Sequence, residues 1–486
     1  MRLRAEAAQV QRERQQGLGR PIISIESHGY RLVAVKNRLL HSKGWKTFHD
    51  FLVDYIKMAI GPEWGNTEIA KSLEQRHPIL IWYQKVCEHQ RIFVTELGKV
   101  ASAQMTGAAA AYMHLAYDLY ELDHNAELQT KLLARLRNHD KFTGARYEIY
   151  VAALFIRAGF NIDFEDETDG STTHCEFTAT HKRTGKRFSV EAKRREGARP
   201  RIGHLFNDAL SKRANYERII FIDINMRDDA NNNQPPLYLE KALRRLRSFE
   251  GQPLNGQLRP SAYVFLTNTP WSLYLDAPAP RCATLAEGFQ IPDFKGGGYA
   301  PSLRHVIDAR EAHIEMHDLM ISIQDHSNIP STFDGEIPEF AFGTGKQRIV
   351  IGQRYMIPDA DGVERPAEVT TATVAEAERV AYCGATFEDG RAIICSMPLT
   401  DEELAAWKRH PDTFFGILGQ RHTRADSPIE LYDFFHASFK QSTKKLLLEA
   451  MSGAHDFEQL TKLDQPQLAS IHAERMTNAV LSMQQK

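Results

Sequence analysis

Between residues 143 and 270 the spacing of apolar residues changes from steps of three and four to strict alternation and back. In GARYEIYVAALFIRAGF (144–160), Tyr147, Val151, Leu154 and Ala158 fall on one stripe of a helix, and Gly159 ends it as a C-cap residue. Strand patterns follow in NIDFEDE (161–167), THCEFTATHK (173–182) and RFSVEAKRR (187–195), with the turn RTGK between the last two. A helix (201–217), an apolar strand RIIFIDIN (218–225), a second helix (236–251) and a strand SAYVFLTNT (261–269) complete the series. The order α-β-β-β-α-β-α-β opens with a meander and closes with crossovers, which predicts a mixed sheet flanked by helices.

The flanks read differently. Residues 1–20 are polar and rich in Arg and Gln, the pattern of a frayed helix or a disordered arm. From about 30 to 140 the period is mostly helical, as in KTFHDFLVDYIKMAI (46–60). Pro and Gly punctuate 276–345, read as a linker with one helix near 305–323. Residues 346–427 alternate like a small β-rich domain of SH3-like size. Thr400 with Glu403 then makes a capping box before a helix, and the tail from 428 is helical. The expected division is therefore 1–142, 143–275, 276–345, 346–427 and 428–486, in keeping with a chain of 486 residues.

Composition narrows the classes. The formal net charge is −2, so attraction to a polyanion must come from a local patch. The five cysteines are scattered without any C-x-x-C, which argues against a disulfide framework or a cysteine zinc site and fits a reducing compartment. The N-terminus has no apolar h-region, and no apolar run approaches the ~20 residues of a membrane span. A cytoplasmic protein is expected.

The strand at 187–195 carries the candidate chemistry. Side chains alternate faces along a strand, so Phe188, Val190 and Ala192 share one side while Ser189, Glu191 and Lys193 share the other. A two- or four-residue loop in RTGK sets Thr178 opposite Glu191 and Glu176 opposite Lys193, gathering two carboxylates and an ammonium. Such a group suits metal-assisted phosphodiester hydrolysis: carboxylates hold a hard cation, and the lysine orients water and offsets negative charge. The same spacing also fits a solvent-exposed hairpin with an ordinary cross-strand ion pair. Asp166 and Asp169 are the other upstream acids. Asp169 has the wrong parity and Asp166 lies beyond a turn, so Glu176 is the expected first ligand.

These residues, in this order, resemble the PD-(D/E)XK, or restriction-endonuclease-like, nuclease superfamily over about 143–270. CEF stands in place of the family's PD, and EAK is its (D/E)XK. Glu176 replaces the usual Asp, and no Pro precedes it. The resemblance implies a multidomain α/β chain with an α-β-β-β-α-β nuclease core. It also implies Mg²⁺ or Mn²⁺ on Glu176, Glu191 and the Ala192 backbone carbonyl, with Lys193 and Glu148 assisting. The expected activity is hydrolysis of DNA, duplex rather than single-stranded, in a restriction or defence setting; a homodimer or partner subunits are compatible with it. RNA as substrate, or a degenerate nuclease fold that only binds nucleic acid, remains open. Glu148 also reads as an ordinary charge beside the apolar stripe of its helix.

Residues 182–218 hold twelve Lys or Arg against four acids, the footprint of phosphate contacts. Arg194, Arg195, Arg199, Arg201, Lys212 and Arg213 are the expected nucleic-acid contacts. Three other features are discounted. HIEMH (313–317) has its Glu in the middle, not second, and GTGKQ (343–347) lacks the P-loop Gly and Ser/Thr. Cys175 falls on the apolar face of its strand.

Overall fold

A computed structural model describes residues 2–484 apart from 97, 165–174, 196–200, 228–235, 255, 296–301, 344–347, 419–424 and 426. The fold is mixed α/β, with seventeen α-helices and four sheets among the described residues. Two compact units are present, 1–296 with 318–420, and 297–317 with 421–486.

The elements that matter for the candidate site are helices α1 (Gly107–Asn125) and α2 (Phe142–Arg157), strands β1 (Phe160–Phe164), β2 (Phe177–His181) and β3 (Arg187–Arg194), helix α3 (Ile202–Ser211), strand β4 (Glu217–Asp223), helix α4 (Leu237–Arg247), and strands β5 (Ala262–Asn268) and β6 (Ala283–Phe289). They form a six-stranded sheet of order β6-β5-β4-β3-β2-β1. The β3–β4 and β4–β5 pairs are parallel and the rest antiparallel. A mixed sheet flanked by helices is what the alternating pattern predicts.

Both sheet faces are covered. On one, Phe155 of α2 meets Phe160, Phe177 and Phe221 edge-on, and Phe221 stacks on Phe265. On the other, Phe206 and Leu210 of α3 and Leu239, Leu243 and Leu246 of α4 bury Ile220, Ile222, Val264 and Leu266. Removing one such fully buried aromatic ring costs about 3–5 kcal/mol. The α2 helix ends where Gly159 takes φ +84°, a conformation open to glycine at little cost.

Several expectations are corrected. Residues 276–289 are not linker: Ala283–Phe289 pairs antiparallel with β5 as the sixth strand. Its weak alternation, interrupted by Gly288, hid it. The helical reading from residue 30 fails at its start, where Ile23–Ser27, Tyr30–Val35 and Arg38–Ser42 form an antiparallel meander. Its tight turns put His28, Gly29 and Lys36 at positive φ. Residues 2–16 form a helix. The small β-rich region is a four-stranded meander of Arg354–Pro358, Glu364–Ala375, Val380–Phe387 and Ala392–Pro398. The Thr400–Glu403 capping box is present in both directions.

In the smaller unit, helix Leu303–Ala312 belongs with the C-terminal helices, and Ile307, Tyr432 and Ala473 make a common core. Arg310 donates to both carboxylate oxygens of Asp433 at 2.8 and 2.7 Å. GTGKQ lies, apart from Gly343, outside the described residues.

Candidate active site

Strand β3 is the third strand from one edge of the sheet and delivers Glu191 and Lys193 to the face that α3 covers. The hairpin register differs from the expected one. Thr178 pairs with Ser189 and Thr180 with Arg187, and His181 N–H donates to Lys186 O at 2.9 Å, so the four loop residues are 182–185. Relative to expectation the pairing is shifted by two, an even number, so every residue keeps its predicted face. Glu176 stands one residue before β2, and its N–H donates to Val190 O at 3.0 Å, although Phe177 is already opposite Val190. The two-residue shift removes the expected Glu176–Lys193 pair, and the local irregularity sets Glu176 against Val190 as well; breaks of this kind re-aim side chains at strand ends.

The face bearing Glu191 is not solvent-exposed, which corrects the exposed-hairpin alternative. Glu191 is 1% exposed, and Ser189 and Thr178 are buried beside it. Ser189 Oγ accepts from the N–H groups of Asn215 and Tyr216, both at 3.2 Å. Lys193 Nζ lies 2.5 Å from Glu191 Oε1 with its side chain 23% exposed. Neither Glu191 carboxylate oxygen has a hydrogen bond of normal geometry among the described residues. A buried, ionisable group in this state is expensive unless a cation compensates it.

Glu148 reaches the same cluster from α2. It is buried and held by both guanidinium nitrogens of Arg135, on the helix Thr130–Arg137; Arg135 Nη1 donates at 2.9 Å. Burial, then repulsion from Glu176, pushes the Glu148 carboxyl up to about 7 against the pull of Arg135. Burial, again followed by Glu176, pushes Glu191 up to about 7 against Lys193 and Lys212. For Lys193, burial acts downward, but the Glu191 carboxylate outweighs it and raises the ammonium, keeping it charged. Glu148, Glu176, Glu191 and Lys193 therefore sense one another as one electrostatic cluster.

Among the described residues, no group of three or more His, Cys, Asp or Glu side chains is arranged to hold a metal ion. A cation here would rest on Glu191 and Glu176 plus backbone and water oxygens. The buried Glu191 carboxylate, with the Lys193 ammonium on Oε1, fits that role, and Mg²⁺ sites of few carboxylates and several waters are common. The Ala192 side chain, 7% exposed, points to the opposite face in register with Phe221.

The expected basic contacts separate. Lys212 caps the end of α3 close enough to Glu191 to lower its carboxyl, and Arg213 and Arg201 are exposed at the two ends of the same helix. Arg195 donates from Nη2 to Asn225 O at 2.9 Å. Arg194 does not share that surface: it projects to the α2 face, only 10% of its side chain exposed, with Nε 3.4 Å from Asp223 Oδ2. Arg199, Asp166 and Asp169 lie outside the described residues. Cys175 is buried and its thiol is pushed up to about 12 by burial and then by Glu191, the opposite of an activated nucleophile.

Sequence reasoning missed Arg135, which ties the N-terminal region into the site, and two buried carboxylates behind it. Asp118 on α1 accepts from Arg146 at 2.9 Å and Arg157 at 3.0 Å. Asp223 accepts from the N–H and hydroxyl of Thr269, both at 2.9 Å, and from Thr267 Oγ1 at 3.2 Å. Spacing in the sequence gives no signal for contacts across 28 to 46 residues. No protein-family model, curated protein or solved structure matches this chain. No helix among the described residues is long and apolar enough to cross a membrane.

Proposed function

We propose that this protein is a metal-dependent nuclease of the PD-(D/E)XK kind, hydrolysing phosphodiester bonds in DNA. The observation that carries the reading is the buried Glu191 carboxylate, without normal hydrogen bonds, 2.5 Å from the Lys193 ammonium and coupled to Glu176 and Glu148. Glu176 and Glu191 would hold Mg²⁺ or Mn²⁺, which when bound supplies Lewis-acid polarisation and an acidified water. Lys193, charged at neutral pH, orients water and offsets charge building on the phosphate. Glu148 stands ready to hold a proton near neutral pH, and Arg135 fixes its position. Lys212, Arg213 and Arg201 offer phosphate contacts along α3.

A binding-only protein is the second reading, favoured by one observation: Arg135 already occupies both oxygens of Glu148. Incubating the protein with supercoiled, linear and single-stranded DNA and with RNA, in Mg²⁺, Mn²⁺ or EDTA, separates the two. Cation-dependent cleavage supports the nuclease; saturable binding without cleavage in either metal supports the second reading.

A further inference from the structure

A cavity of about 280 Å³ lies on the far side of β3 from Glu191, between α1, α2 and the segment after β5. Its walls include Trp82, Phe142, Tyr147, Tyr150 and Trp271, with Arg194 reaching into it from the strand. Trp82 and Phe142 have ring centroids 5.4 Å apart, and Tyr150 meets Trp271 edge-on at 6.1 Å. Arg146 also lines the cavity and is bonded to Asp118. The Arg194 Nε is buried and has no hydrogen bond among the described residues.

Only Arg146 and Arg194 of the charged groups line this wall, and charge at and behind it is unbalanced. Arg146, Arg157 and Arg194 face the carboxylates of Asp118 and Asp223, leaving one positive charge over among these groups. Glu121, buried nearby, does not cancel it: burial above all pushes its carboxyl up to about 8, leaving it mostly neutral at pH 7. Aromatic walls with an under-used guanidinium favour a planar ring carrying hydrogen-bond acceptors or an anionic group. Glu148, Glu176, Glu191 and Lys193 do not line the cavity, but their chain neighbours Tyr147 and Arg194 do.

We propose that this cavity binds a single nucleotide, its base against the aromatic walls and its acceptor edge or phosphate on Arg194. The ligand class rests on the nuclease reading, because a nucleic-acid strand held at Lys193 would cross the C-terminal end of β3, where the next residue, Arg194, lines the cavity. Extruded bases are held in this manner, by stacking plus contacts to their polar edge.

The test titrates the full chain in EDTA with each of the four deoxynucleoside monophosphates, the matching nucleosides and inorganic phosphate, reading tryptophan fluorescence. At least one nucleotide is expected to bind saturably, tenfold or more tighter than its nucleoside or phosphate alone. Ala111→Leu, which fills the cavity without removing core atoms, is expected to weaken binding at least tenfold, with folding checked by circular dichroism. Arg194→Gln is expected to bring nucleotide and nucleoside to similar affinity. No saturable nucleotide binding, or binding untouched by Ala111→Leu in a folded protein, overturns the proposal. An oligonucleotide carrying 2-aminopurine identifies the source: brightening that a free nucleotide reverses marks a base drawn from the strand, and nucleotide binding without such competition marks a free nucleotide. Cleavage without nucleotide binding overturns this inference alone; nucleotide binding without cleavage overturns the nuclease reading alone.

Discussion

Glu191 and Lys193 stand two residues apart on β3, on one face, with Oε1 and Nζ 2.5 Å apart. Their α-carbons are roughly 6.6 Å apart along a strand, so both side chains must lean toward each other to meet. The lysine remains partly exposed while the carboxylate is buried. The pair thus presents a buried anion with a single charged partner, a state that a cation can relieve.

The first prediction follows from that burial. Glu191 is raised from 4.5 to about 7, worth about 3 kcal/mol. A raised carboxyl means that the unfolded chain loses its proton first, so stability falls as pH rises from about 4.5 to about 7 and stays lower above. Glu191→Gln should therefore melt higher than wild type at pH 8 in EDTA. It should also gain less from added Mg²⁺. Melting curves at pH 5 and pH 8, with and without Mg²⁺, check both statements; an equal Mg²⁺ gain in the variant contradicts the metal assignment.

Activity should move the opposite way with pH. Glu148 and Glu191 both sit near 7 without metal, so cation binding must displace protons, and cleavage at limiting Mg²⁺ should rise through pH 6–8. Raising Mg²⁺ should move the midpoint to lower pH. A pH–rate profile insensitive to Mg²⁺ concentration would place the titrating group elsewhere.

Arg135 acts through Glu148. Arg135→Ala leaves a buried carboxyl without its clamp, which should push Glu148 higher still and shift the pH profile to the alkaline side. Arg135→Lys should restore part of the shift. The same profile for wild type and Arg135→Ala would make the ion pair purely structural.

The arginines divide into two classes. Arg201→Glu with Arg213→Glu changes exposed residues at the ends of α3, and should weaken DNA binding and flatten its salt dependence while leaving the melting temperature nearly unchanged. Arg194→Glu sets a buried negative charge beside Asp223 and should lower the melting temperature by several degrees. Mobility shifts over a salt series, paired with melts, separate the two.

The local features of the site were legible because they are local. Alternation assigned Glu191 and Lys193 to one face, and the helical stripe put Glu148 beside the sheet. The burial of Glu191 was not, since FSVEAK reads as a half-exposed strand and tertiary packing covers it. The hairpin partners differ by two residues because the four-residue loop is KRTG (182–185) rather than RTGK. Arg135 joins the site from the helix before α2, 13 residues from Glu148, and Asp223 on the opposite face is held by Thr267 and Thr269, more than 40 residues away; a pattern of near neighbours has no signature for either contact. The same holds for β6, an edge strand in a stretch rich in Pro and Gly.

The central claim, that Glu191 with Lys193 forms a cation-dependent cutting site, is tested most directly by single-turnover nicking of supercoiled plasmid. Wild type, Glu191→Gln and Lys193→Met would be compared in Mg²⁺, Mn²⁺ and EDTA. The expected result is nicking by wild type in metal alone, with each variant slower by roughly 10²-fold or more while still binding DNA. Nicking by Glu191→Gln at the wild-type rate, or by wild type in EDTA, would contradict it.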